Sequence, residues 1–130
     1  MSAGDTARSM NGLILFAHGS RDAAWAAPFE AVAARLRHQR PQWRVLLAYL
    51  ELMQPDLPAA AASLVDAGCT RVDIVPMFLG TGGHVRRDLP ALVQQLRDRH
   101  GSVQWALHAP IGEHPHVIDA MALAALDGTP

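Results

Sequence analysis

The sequence predicts an α/β fold: a four-stranded parallel sheet flanked by helices, in the flavodoxin-like strand order 2-1-3-4. Three observations carry this expectation. Short continuous apolar runs recur along the chain, each with the pattern of a strand covered on both faces. The segments between them place apolar residues at helical spacing. Pro, Gly and Asp punctuate the junctions. Strand followed by helix, four times over, argues for parallel strands joined by crossover helices. The order 2-1-3-4 is the common arrangement for such sheets.

Leu13–Ala17 is the first strand, broken by the polar turn His18-Gly19-Ser20-Arg21-Asp22. A helix follows over Ala23–His38, regular from about Trp25 because Pro28 suits a first turn. Phe29, Val32, Ala33 and Leu36 form its apolar stripe. Trp43–Tyr49 is the second strand, and the loop Leu50–Pro55 holds one acid, Glu51, among apolar residues. Asp56 with Pro58 opens the second helix, with Leu57, Ala61, Leu64 and Val65 inward and Gly68 at its end. Arg71–Pro76 is the third strand. Asp88 is expected to cap a third helix with Pro90 in its first turn, Leu89, Leu92, Val93 and Leu96 inward, and Gly101 as the stop. Val103–Ala109 is the fourth strand and Pro115–Leu126 a last helix. The expected layout is one α/β domain over residues 12–127, between a flexible tail at 1–11 and a short one at 128–130.

The chain of 130 residues suffices for a single core. A net charge of −1 gives no bulk electrostatic case for nucleic acid or an anionic membrane. No apolar run approaches the roughly 18 residues of a membrane span. The N-terminal residues have neither the basic start nor the apolar centre of a signal peptide. The single cysteine, Cys69, cannot form an internal disulfide, which suits a reducing compartment, and a cytoplasmic location is expected.

In a parallel sheet the C-terminal ends of all strands share one edge, where open α/β folds bind ligands. His18 follows strand one, Glu51 strand two and His84 strand three. With strands one and three adjacent, His18 and His84 face each other across the crevice with Glu51 beside them. Two imidazoles and a carboxylate suit a first-row divalent metal, and so few ligands leave positions open for exchange or catalysis. The competing reading makes each histidine an ordinary turn residue. Gly80-Thr81-Gly82-Gly83, with Arg86 and Arg87, reads equally as an anion cradle or as a bare turn; it carries no nucleotide fingerprint. Met53, Met77, Phe78 and Leu79 are core residues or, together, an apolar wall for a flat ligand or partner. His38 and His100 sit near helix ends, where a cation is mildly favoured. His108 lies in a strand, and His114 and His116 share the ligand edge without a defined role. Cys69 reads as a structural thiol.

These residues resemble a known family. Leu15-Phe16-Ala17-His18-Gly19-Ser20-Arg21-Asp22 resembles the opening strand and turn of the sirohydrochlorin chelatases. Val75-Pro76-Met77-Phe78-Leu79, Gly83-His84-Val85 and Asp88-Leu89-Pro90 resemble their second signature, Leu50-Glu51-Leu52 with Pro55 their acidic loop, and Ala109-Pro110-Ile111-Gly112 with His114-Pro115 their C-terminal segment. The likeness runs from about Leu13 to Met121 and is to the short form, one lobe of the class II chelatase architecture. It implies a metal chelatase (a lyase) that inserts cobalt, iron or nickel into sirohydrochlorin without ATP, for cobalamin or siroheme synthesis, with cobalt the first expectation. It implies that His18 and His84 hold the metal, that His18 also accepts a proton, and that Glu51, Leu79, Gly80, Thr81, Gly82, Gly83 and His84 contact the tetrapyrrole. The metal is then a substrate, no cofactor is retained, and two copies pair as a homodimer. Thr81 and Gly83 stand at positions that vary among relatives. A metal carrier without tetrapyrrole chemistry is the alternative from another class. A histidine phosphatase is disfavoured because Ala17, rather than an arginine, precedes His18.

Overall fold

The computed structural model describes residues 10–80 and 82–130. Four parallel strands, β1 (Met10–Ala17), β2 (Arg44–Tyr49), β3 (Cys69–Pro76) and β4 (Gln104–Leu107), form one sheet in the order β2-β1-β3-β4. The predicted order is the observed one. Strand β1 is central: Ile14 lies level with Leu46 on one side and Ile74 on the other. Of the expected N-terminal tail, residues 1–9 lie outside the described residues. Met10 and Asn11 belong to β1, because pairing with Cys69 and Arg71 carries the ladder three residues beyond the apolar run, from Gly12 back to Met10.

Four α-helices accompany the strands: α1 (Ala27–Gln39), α2 (Leu57–Asp66), α3 (Gly83–Arg99) and α4 (Pro115–Asp127). One face of the sheet packs Ile14, Phe16, Val72, Ile74 and Trp105 against Leu57, Ala61 and Leu64 of α2 and Leu89, Val93 and Leu96 of α3. The other face packs Leu13, Leu15 and Val45 against Ala33, with Val32 and Leu36 of α1. Helix α2 starts as its sequence predicts, with the Asp56 carboxylate accepting from the Ala59 amide at 2.9 Å. The first helical stretch is split. A 3₁₀ turn at Ala23–Ala26, capped by Asp22, leads into α1 with Pro28 in its opening turn.

Helix α3 departs from expectation. It begins at Gly83 rather than at Asp88, is capped by the extended backbone of Gly82, and carries Pro90 in its interior. A proline there removes one i→i−4 hydrogen bond. The extra turn brings Val85 onto the core above Leu89, and that burial holds the longer helix. His84 is therefore a first-turn helical residue.

Two features are left over. No residue of α4 is buried, and its main neighbour is the 3₁₀ turn Ile111–Glu113 just before it. On the α1 side of the sheet, α1 lies over β1 and β2, and among the described residues no helix packs extensively over β3 and β4. Arg71, Asp73, Gln104, Ala106 and His108 alternate onto that uncovered half. There Arg71 bridges Asp73 at 2.9 Å, and His108 lies 3.5 Å from the same carboxylate.

Ile74, wholly buried in the third strand, anchors the larger core cluster. Ile74→Ala should cost about 3 kcal/mol of stability, read from the shift in the urea unfolding midpoint.

Candidate functional site

The exits of β1, β2 and β3 are tied together by backbone hydrogen bonds. The Met77 amide donates to the Phe16 carbonyl at 2.7 Å, Leu50 to Ala17 at 2.9 Å, and Glu51 to His18 at 3.0 Å. The β2–α2 loop is thus pinned to the histidine turn. Gly19 makes this fit possible: its φ is +97°, and a Cβ there would run into the Glu51 carbonyl oxygen. Leu52, φ +67°, turns the loop back, and the Met53 amide donates to the Glu51 carbonyl at 2.8 Å. The Asp22 carboxylate accepts from Ala24, and its own amide donates to Ser20 Oγ at 3.1 Å, so the His18–Asp22 turn is closed on both sides.

His18 is exposed and lies against the Phe78 ring, centroid to centroid 4.7 Å. Phe78 is buried and meets Phe16 edge-on at 6.0 Å. The imidazole therefore rests on an aromatic floor built from the ends of β1 and β3, with its outer surface in solvent. His84, also exposed, stands in the first turn of α3, which follows β3 in the chain. Glu51 is exposed beside His18 and joined to it through the backbone. Among the described residues, no group of three or more His, Cys, Asp or Glu side chains is placed to hold a metal ion. A preformed cluster of two histidines and one carboxylate is therefore not among the described residues.

Leu79 is 71% exposed and Leu52 is 58% exposed, a strongly apolar rim for a surface turned to water. A Cβ added at Gly80 or at Gly82 would meet no atom within 4 Å, and neither glycine lies in the left-handed region. Among the described residues nothing in the packing asks for glycine at either place, which leaves clearance above both. Thr81 lies outside the described residues. Gly83 opens α3, and its carbonyl accepts from Arg87 at 3.3 Å.

Next to this turn, a cleft of about 310 Å³ runs between α3 and the end of β4, lined by Pro76, Arg86, Leu89, His108 and Glu113. No local stretch of residues signals it, since it depends on how α3 and β4 meet. Two further histidines have structural roles. His100 closes α3 beneath Trp105, whose indole N–H donates to the His100 carbonyl at 3.2 Å. His114 caps α4, its Nδ1 accepting from the His116 amide at 3.1 Å. Cys69 is buried, and desolvation raises its thiol pKa against the smaller opposing pull of Arg44, so it stays protonated and inert.

The CbiX family model matches residues 12–125, which takes in all four strands but the first residues of β1, and all three exits described above. The chain belongs to the CbiX family. A sirohydrochlorin cobaltochelatase of Sulfolobus acidocaldarius is 29% identical to it over 86% of this chain and 87% of that one. A sirohydrochlorin ferrochelatase of Priestia megaterium is 26% identical over 86% of this chain but only 42% of its own length, so this CbiX-family chain spans less than half of that relative. The crystal structure of the CbiX protein of Marinobacter aquaeolei superposes with a TM-score of 0.79 at 33% identity, covering 91% of this chain and 96% of that one.

Gly19→Ala should displace the Glu51 loop from the histidine turn. We expect a fall of about 1–3 kcal/mol in unfolding free energy from the strained backbone alone, together with loss of metal binding measured by calorimetric titration. Unchanged metal affinity would show that the turn is not part of the site.

Proposed function

We propose that this chain is a sirohydrochlorin chelatase, inserting a divalent metal into the tetrapyrrole without ATP. The observation that carries the reading is His18, exposed on its aromatic floor at the exit of β1, beside the adjacent strand β3 that runs on toward the glycines and His84. The named relatives act on sirohydrochlorin with cobalt or iron.

The residues divide the work as follows. His18 and His84 hold the incoming cation as a two-imidazole site, weak enough to release it. The flat macrocycle contacts Leu79, Gly80, Thr81, Gly82 and Gly83, with Glu51 at its edge. Insertion forms metal–nitrogen bonds as the pyrrole N–H bonds break, and both protons must leave. His18, freed of the metal, accepts one of them, and solvent takes the other. The metal is a substrate throughout, with cobalt preferred and iron or nickel the alternatives. One lobe presents a single open face to a broad pigment, so the working unit is a homodimer whose second copy closes the opposite side. No helix of the described chain is long and apolar enough to cross a membrane, and we place the enzyme in the cytoplasm.

A metal carrier would use the same imidazoles. It would have no use for the exposed Leu79 and Leu52 or for the clearance over the glycine turn, which favour the chelatase.

Metal insertion followed by the absorbance change of sirohydrochlorin tests the proposal. His18→Ala and His84→Ala should each lower the rate by about 100-fold or more, with the fold unchanged by circular dichroism. Parent-like turnover in either variant would remove that residue from the mechanism. A panel of cobalt, iron and nickel should rank cobalt first. Tight metal binding without any spectral response to sirohydrochlorin would instead establish a carrier.

A further inference from the structure

His18 carries two duties in the chelatase reading, holding the cation and then a proton, yet its imidazole lacks the usual anchor. Histidines that bind metal ions usually have the second ring nitrogen tied to a carboxylate or a carbonyl, which fixes the plane of the ring. Among the described residues, neither ring nitrogen of His18 has a hydrogen-bond or ion-pair partner in the protein. The Glu51 amide donates to the His18 backbone carbonyl and leaves the imidazole alone. The ring contact that His18 does make is with Phe78, at 4.7 Å between centroids and 45° between planes. That separation lies in the range of roughly 4.5–7 Å over which aromatic rings attract one another.

Phe78 is fixed more firmly than the residue it supports. Its side chain is buried and meets Phe16 edge-on at 6.0 Å. Just before it, the Met77 amide is bonded to the Phe16 carbonyl of β1. Its own carbonyl accepts from the Gly112 amide at 2.9 Å, and a Cβ at Gly112 would overlap the Leu79 backbone. The 3₁₀ turn Ile111–Glu113 therefore sits flush against the chain as it leaves Phe78. Packing holds the ring, and backbone bonds hold the chain on either side of it.

We propose that Phe78 is a positioning residue for His18: its ring sets the plane of the imidazole by contact and leaves both nitrogens unengaged. The inference deepens the chelatase reading and rests on it for the role of His18. A hydrogen-bonded partner would fix one tautomer, and a change from metal ligand to proton acceptor would disturb that bond. An aromatic face imposes no such choice. The nitrogen that gives up the cation can take the proton: a pyrrole N–H bond breaks, an imidazole N–H bond forms, and His18 becomes an imidazolium that returns the proton to water. Ordering the ring before the cation arrives also lowers the side-chain entropy lost on binding.

Phe78→Leu keeps apolar bulk and removes the ring, with Phe78→Met as the milder deletion should the leucine variant unfold; Phe78→Tyr keeps the ring. Val72→Ala, wholly buried in β3 and away from its exit, controls for a general loss of packing. The first readout is cobalt(II) binding by calorimetric titration, which needs neither pigment nor turnover. We expect affinity to fall about 10-fold in Phe78→Leu, and to hold at the parent value in Phe78→Tyr and Val72→Ala. In the insertion assay Phe78→Leu should lower kcat by about 10-fold with the KM for sirohydrochlorin unchanged. In histidine-labelled protein, NMR should show the His18 ring protons under the Phe78 ring current in the parent and in Phe78→Tyr, but not in Phe78→Leu. Parent-like cobalt affinity and kcat in Phe78→Leu would overturn the positioning role, and absence of a ring-current shift in the parent would overturn the contact itself. An equal loss in Val72→Ala, or in a Phe78→Tyr folded by circular dichroism, would reduce Phe78 to a packing residue. If Phe78→Tyr does not fold, Phe78→Leu against Val72→Ala decides. Parent-like cobalt binding in His18→Ala would remove the metal-holding role and this inference with it. A parent that binds cobalt through His18 but leaves the sirohydrochlorin spectrum unchanged would overturn the chelatase reading alone, with Phe78 still judged by the titration.

Discussion

The carbonyls of Phe16 and Ala17 accept the amides of Met77 and Leu50, so the last two residues of β1 hold the exits of both neighbouring strands. Every feature of the candidate site hangs from those two bonds. The first sets β3 beside β1 and brings the Phe78 ring under His18. The second brings the β2 loop over the histidine turn, where the Glu51–His18 bond and the Cβ-less Gly19 complete the fit. A central strand bonded on both edges is the most constrained part of an open sheet, and a ligand-bearing turn placed at its end inherits that rigidity. Buried Ile14, Phe16 and Ile74 supply the apolar weight behind it.

Much of this was legible in the residues because it depends on local chemistry. Asp56 followed by Pro58 could only open a helix, and its carboxylate does cap the Ala59 amide. The apolar runs marked the strands, and the parallel topology then sent His18, Glu51 and His84 to one edge with no need to know any contact. The start of α3 was misread for an equally physical reason. Asp88 and Pro90 form a good local helix start, but burying Val85 beside Leu89 favours the longer helix, and tertiary packing overrode the local signal. The His18–Phe78 stack, the cleft at Arg86, His108 and Glu113, and the bare half-face all arise from registers between distant segments. No single stretch of sequence carries them.

The apolar surface of the lobe is divided. Leu50, Leu52 and Leu79 rim the site, whereas Ile118, Met121, Leu123 and Leu126 line α4. Gly112, packed beneath Leu79, joins the two. One relative is of similar length and another is more than twice as long.

Pro90 gives α3 two mechanical parts. Below it, Val93 and Leu96 are clamped into the core; above it, the turn carrying His84 lacks the bond that residue 90 would have donated. The helix behaves as a stiff shaft with a compliant tip. A side chain carried on that turn, His84 among them, can shift without disturbing the sheet. The cost of such a shift falls on one loosened turn rather than on the whole lobe.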